Sequence, residues 1–176
     1  MSMVQLGGLN VSKASYTRAR EIVENKPQGK RKSAGDVLES LRKMMPGWTI
    51  TTSKTEWSEG VRNIEICERV LERMAEDPEV MVKFKALILD LEEAVPALEE
   101  WAKEHPGQTL DFAFDIEGDG QLRAIAILMS HLGQESRTTF ELPTDRGTWS
   151  DIIRGKLDAL AQGRVEDAQG NKSWVV

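Results

Sequence analysis

Residues 115–120 read D-I-E-G-D-G, and acidic groups at alternate positions before a glycine match the start of a calcium-binding EF-hand loop. The match stops there. The later ligand positions of such a loop fall on Arg123, a cation, and on Ala126, which has no oxygen to offer. The flank TLDFAFD alternates like a strand and not like an entering helix. A hairpin explains the same residues better. Asp-Gly is the favoured pair for a tight two-residue turn, because both positions need positive φ. A turn at Asp119-Gly120 sets Ile116 opposite Arg123, Phe114 opposite Ile125, Phe112 opposite Ile127 and Leu110 opposite Met129.

The other reactive residue types are sparse. Cys67 is the one cysteine, which excludes an internal disulfide and a cysteine-rich zinc site, and its place in a helical apolar stripe reads as core packing. His105 precedes Pro-Gly at a helix end, and His131 follows a strand. The two are far apart and lack the HExxH spacing of a zinc site. Glu92-Glu93 and Glu99-Glu100 are neighbours on a helix, point different ways and read as a solvated face. No glycine-rich phosphate loop is present. No cofactor and no metal is expected, and the chain reads away from an enzyme.

Two stretches suit contact with a partner. KPQGKRKS, residues 26–33, combines Pro, Gly and four cations and reads as a linker or an interaction arm, with Lys30, Arg31 and Lys32 as its charged centre. Trp57 lies in the polar run SKTEWSEGV, and tryptophan is enriched at binding hot spots.

The elements that must position these residues follow from pattern. Ser33 and Asp36 have the spacing of a capping box, and Val37, Leu38, Leu41, Met44 and Met45 follow at helical spacing up to Pro46-Gly47. Residues 48–52 alternate as a strand. A helical pattern begins at Asn63, with room for an extended entry at Ile64–Ile66. It restarts at Asp77-Pro78, where Asp caps and Pro suits the first turn, and is interrupted at Pro96. Strands are expected at 109–116, 121–129 and 136–142, and the second of them is apolar on both faces, as a strand covered on both sides would be. Thr148 with Asp151 is expected to cap a last helix ending at Gly163. Residues 12–25 read as one short helix with a thin apolar stripe.

The 176 residues carry a net charge of −6, spread unevenly. Residues 1–54 hold ten basic and four acidic side chains, whereas residues 56–104 hold six and fourteen. The overall acidity argues against nucleic acid, which needs a concentrated basic face. The chain shows no apolar run long enough for a membrane span and no secretion signal, so the expected location is the cytoplasm, with export by a signal-independent route left open.

GLNVSKASY, the Ser33–Met45 helix, PGWTI and VLERMAEDPE, followed by DGQLRAIAI, resemble an uncharacterised bacterial family of small α+β proteins found largely in Firmicutes. The resemblance covers residue 8 to about 91. It implies an α+β fold and carries over no activity and no site residue.

The expected architecture is α+β: a small antiparallel sheet (hairpin 109–116/121–129 plus 136–142, with 48–52 as a further candidate) packed against amphipathic helices. The expected division is an N-terminal extension at 1–32, one domain at 33–162 and a tail or added strand at 163–176. Two functional readings follow. One is a non-enzymatic interaction or structural domain that self-associates, or binds a protein partner, through its basic arm and acidic helices. The alternative is a small enzyme or ligand-binding domain with a pocket beside the sheet near His131, Asp111 and Asp115.

Overall fold

The computed structural model describes the chain apart from residues 1–2, 7–8, 25–32, 53–55, 119–120, 144–145, 163, 167–171 and 175–176. A hairpin of β1 (Met3–Leu6) and β2 (Leu9–Ser12) leads into α1 (Lys13–Glu24). Then come α2 (Ala34–Met44), β3 (Thr49–Thr51), β4 (Asn63–Ile66), α3 (Glu68–Glu76) and α4 (Pro78–Leu91). A 3-10 turn at Glu92–Ala94 joins α4 to α5 (Val95–Glu104). The chain continues through β5 (Gln108–Ile116), β6 (Leu122–Ser130), β7 (Glu135–Glu141) and α6 (Trp149–Ala161) to a short hairpin of β8 (Arg164–Glu166) and β9 (Lys172–Trp174).

The fold is α+β, built on one five-stranded sheet in the order β3-β4-β5-β6-β7. The long ladders, β5 with β6 and β6 with β7, are antiparallel, and the short ones, β3 with β4 and β4 with β5, are parallel. The strand at residues 48–52 therefore belongs to the sheet, but on its parallel side. β4 occupies the point where the helical pattern was expected to begin, and the helix starts five residues later, at Glu68. Ile64 and Ile66 form the extended entry expected there, and both are fully buried together with Asn63.

Local chemistry starts and stops the helices. Ser33 accepts from the Asp36 amide and Asp36 accepts from the Ser33 amide, closing the capping box of α2. Gly47, with φ of 91°, reverses the chain after α2 in a conformation that costs a side chain dearly. Asp77 accepts from the Glu79 amide and Pro78 opens α4. Pro96 sits in the first turn of α5, where its missing N–H has no helical partner to lose. Thr148 departs from expectation: its side chain makes no capping bond to α6. It is the last residue of a 3-10 turn with helical dihedrals, and a cap residue needs extended ones.

The hairpin register also differs from expectation. Ile116 lies opposite Leu122, Phe114 opposite Ala124, Phe112 opposite Ala126 and Leu110 opposite Leu128, one residue away from the expected pairing. Asp119 and Gly120 lie outside the described residues. The Glu117 amide donates to the Gln121 carbonyl at 3.1 Å, which leaves residues 118–120 between the last bonded pair. Directly opposed residues share a face, so a slip of one residue decides which half of β6 is buried with the phenylalanines. The observed register sets each large ring against an alanine. The expected one would have turned Ile125, Ile127 and Met129 toward the helices.

Leu110, Phe112, Phe114, Ile116, Leu122 and Leu128 on that face join one core with Leu41, Leu71, Phe84, Leu98, Trp101 and Leu157 from the helices. Each such side chain contributes about 1.5–3 kcal/mol by leaving water. α4 is buried nearly all round, and α1 packs on it and adds Ala19 to the same core. Asp90 of α4 fixes that packing by accepting from the Ser12 amide (2.8 Å) and hydroxyl (2.7 Å) just ahead of α1. A buried carboxylate at a helix N-terminus is favoured both by these bonds and by the helix dipole.

Candidate interaction surfaces

The second face of the sheet is polar at one end and apolar at the other. Register aligns Thr51, Glu65, Asp115, Arg123 and Glu141 in one row across all five strands. Arg123 lies 3.5 Å from both Glu117 and Glu141 and donates to Gln121 at 3.2 Å, and Asp115 is buried. The loop after β3 is held on this face by side chains. Thr51 donates to Glu56 (2.6 Å), Thr49 donates to Ser58 (2.8 Å), and Asp111 accepts from the Gly60 amide (2.9 Å). Asn63 stitches the loop to β5 through Ser58, Gly60 and the Phe112 carbonyl. Trp57 sits in this loop, half-buried, and its indole N–H is buried with no hydrogen-bond partner among the described residues.

The acidic surface lies on the other layer. Glu92, Glu93, Glu99, Glu100 and Glu104 are exposed along the 3-10 turn and α5. Arg62, from the start of β4, reaches Glu99 at 3.0 Å and Glu92 at 3.5 Å, and Arg154 of α6 reaches Glu100 at 2.9 Å and Glu104 at 3.6 Å. Glu92 also accepts from the Trp48 indole at 2.5 Å. Arg62, Glu92, Val95, Pro96, Glu99 and Lys103 border an open depression of about 420 Å³. Its apolar floor and charged rim suit the stem and head of a long basic side chain.

The remaining candidates separate. His131 is exposed in the turn after β6, where its amide donates to the Gly107 carbonyl. Asp111 pairs with Ile127 and Asp115 with Arg123, four and eight residues back along β6 from His131, so the three do not converge on one point. Cys67 is half-buried against the core, and its sulfur lies 3.7 Å from where a β-carbon on Gly118 would stand. His105 stacks on Trp101 with ring centroids 3.9 Å apart and bonds the Trp101 carbonyl through Nδ1 at 2.8 Å. Lys30, Arg31 and Lys32 lie outside the described residues. Among the described residues no group of acids, histidines or cysteine is placed to hold a metal, and no helix is long and apolar enough to cross a membrane.

Sequence reasoning missed Arg62 and Asn63, because their roles depend on partners far along the chain. It missed the charged row for the same reason, since only strand order and register bring its members together.

Residues 51–142, from β3 to the end of β7, match the family described as "Protein of unknown function (DUF6033)". The match begins just after PGWTI and spans VLERMAEDPE and DGQLRAIAI, and it takes in neither GLNVSKASY nor the Ser33–Met45 helix. No curated protein and no solved structure is significantly similar to the chain.

Proposed function

Since the chain belongs to that family of unknown function, we propose that it is a non-enzymatic interaction domain whose acidic α5 surface receives a basic segment, in the first instance the arm of a second copy. The observation that carries this reading is the excess of carboxylates there: Arg62 and Arg154 are each divided between two glutamates. In this reading residues 1–32 form the extension and residues 33–162 the body. The extension is anchored where α1 packs on α4, and Lys30, Arg31 and Lys32 follow α1 in the chain. Trp57 serves as an apolar anchor for the same class of partner, at the loop that ends in Arg62. Location in the cytoplasm belongs to the same proposal.

Exposed ion pairs contribute little one at a time, up to about 1 kcal/mol each, and are screened within about 10 Å at 0.1 M salt. The association is therefore expected to need several pairs and to weaken with salt. The test is the triple variant Lys30→Glu, Arg31→Glu, Lys32→Glu, followed by sedimentation and by capture of tagged wild-type chain at low and high salt. Loss of a salt-sensitive complex supports the reading. A complex that the triple variant and salt both leave intact removes it.

A further inference from the structure

A strand apolar on both faces belongs between two covering layers, yet β6 has only one. Leu122, Ala124, Ala126 and Leu128 lie under the helices. On the other face, Ile125 is buried but stands outside the main core, on the face that carries the loop after β3. Farther along that face the cover gives out. Ile127 is only partly buried, Met129 is 38% exposed and Leu132, in the following turn, is 78% exposed. Met129 and Leu132 are the exposed large hydrophobic side chains among the described residues.

From this uncovered strip and the charges beside it, we propose that a second copy of the chain packs face to face on the sheet, related by a twofold axis running along β6. Register supplies the argument for that occupant. Ile127 lies between Asp111 on β5 and Arg137 on β7, and Met129 lies between Thr109 and Glu135. Neighbouring strands are about 4.8 Å apart, and packed sheets about 10 Å. A rotation about β6 keeps positions along the strand and exchanges left for right. Ile127 then meets the copy's Ile127, Met129 meets Met129, Arg137 stands over the copy's Asp111, and Glu135 stands over the copy's Thr109. One patch is its own complement in both polarity and charge, as an isologous interface requires. Arg137 is exposed and held only loosely, 3.9 Å from Glu135. Asp111 gives one oxygen to Gly60 and retains the other. This interface is distinct from the acidic surface on α5.

The experiment uses the full chain with Cys67→Ser as background. Met129→Cys is placed next to the axis, and Glu72→Cys, exposed on α3 and outside both surfaces, serves as control. A short bis-maleimide should link Met129→Cys into dimers at least about tenfold faster than Glu72→Cys. In sedimentation, Ile127→Glu and Arg137→Asp should each weaken the dimer about tenfold or more, while the circular dichroism spectrum stays that of wild type. Equal linking of the two cysteine variants overturns the proposal, and so does a monomeric chain up to about 1 mM. A dimer that survives Ile127→Glu and dissolves on reversal of Lys30, Arg31 and Lys32 overturns it too, while leaving the acidic-surface reading standing.

Discussion

The two faces of the central sheet are made by the same strands and solve different problems. On one face, Phe112 and Phe114 pack edge-on with ring centroids 5.1 Å apart, opposite alanines and beneath helices. On the other, a row of charged and polar groups crosses all five strands, a loop is held by side-chain hydrogen bonds, and an aliphatic strip stays partly open. The first face is specified by volume and burial. The second is specified by polar pairing, which contributes about 0.5–1.5 kcal/mol per bond when made and costs more when one partner is left behind. Stability therefore concentrates on the helical face, and the polar face keeps the open strip on which a second copy is proposed to pack.

Substitutions can break or sharpen that contrast. The largest effect is expected from Phe112→Ala, which opens a cavity under the helices and should cost about 3–5 kcal/mol in a denaturant titration. A loss well under that range would mean that the helical face is not the main source of stability. Next, Asp90→Ala leaves the Ser12 amide and hydroxyl buried without an acceptor and should cost about 1–3 kcal/mol. Amide exchange should rise in α1 more than in β5 or β6, because the bonds from Ser12 to Asp90 tie the N-terminal layer to α4. On the polar face, Ile127→Asp should change the stability of dilute protein far less than Phe112→Ala does, by about 1 kcal/mol, since that side chain is partly exposed and lies outside the main core. An effect as large as that of Phe112→Ala would erase the distinction between the faces.

The smallest effect concerns Lys83 on α4. Burial, with Arg73 nearby as a second cause, lowers its pKa below the usual 10.5. The folded state then binds fewer protons than the unfolded state between the two pKa values, so stability rises as pH climbs through that window toward 10.5. Lys83→Gln should accordingly be more stable than wild type near neutral pH, but only slightly, because solvent screens a side chain this exposed. The difference should shrink as pH approaches the upper end of the window, which thermal melts across a pH series would read.

Much of the helical side of this molecule was legible in the sequence. Ser33 with Asp36, and Asp77 with Pro78, announce helix starts because capping chemistry is local. The 136–142 strand and the two sides of β6 show because alternation is local too. The misses are non-local or short. β1 and β2 have four residues each, too few for a period. The hairpin register depended on whether Phe112 and Phe114 meet alanines or isoleucines, a choice made by the helices overhead and not by the turn residues. Thr148 carried the right residue type for a cap without the backbone conformation that lets it act as one. At the candidate surfaces, the acidic run on α5 was visible as composition. Arg62 bridging Glu92 and Glu99 across the fold was not, nor was Asp111 holding Gly60.

Thiol accessibility tests the contrast most directly. In a Cys67→Ser background, Ile127→Cys and Leu128→Cys place a sulfur on opposite faces of β6, one residue apart. Reaction with a small maleimide in dilute protein should be fast at position 127, become slower as protein concentration rises, and be negligible at position 128 throughout. Comparable reactivity at the two positions would contradict the account.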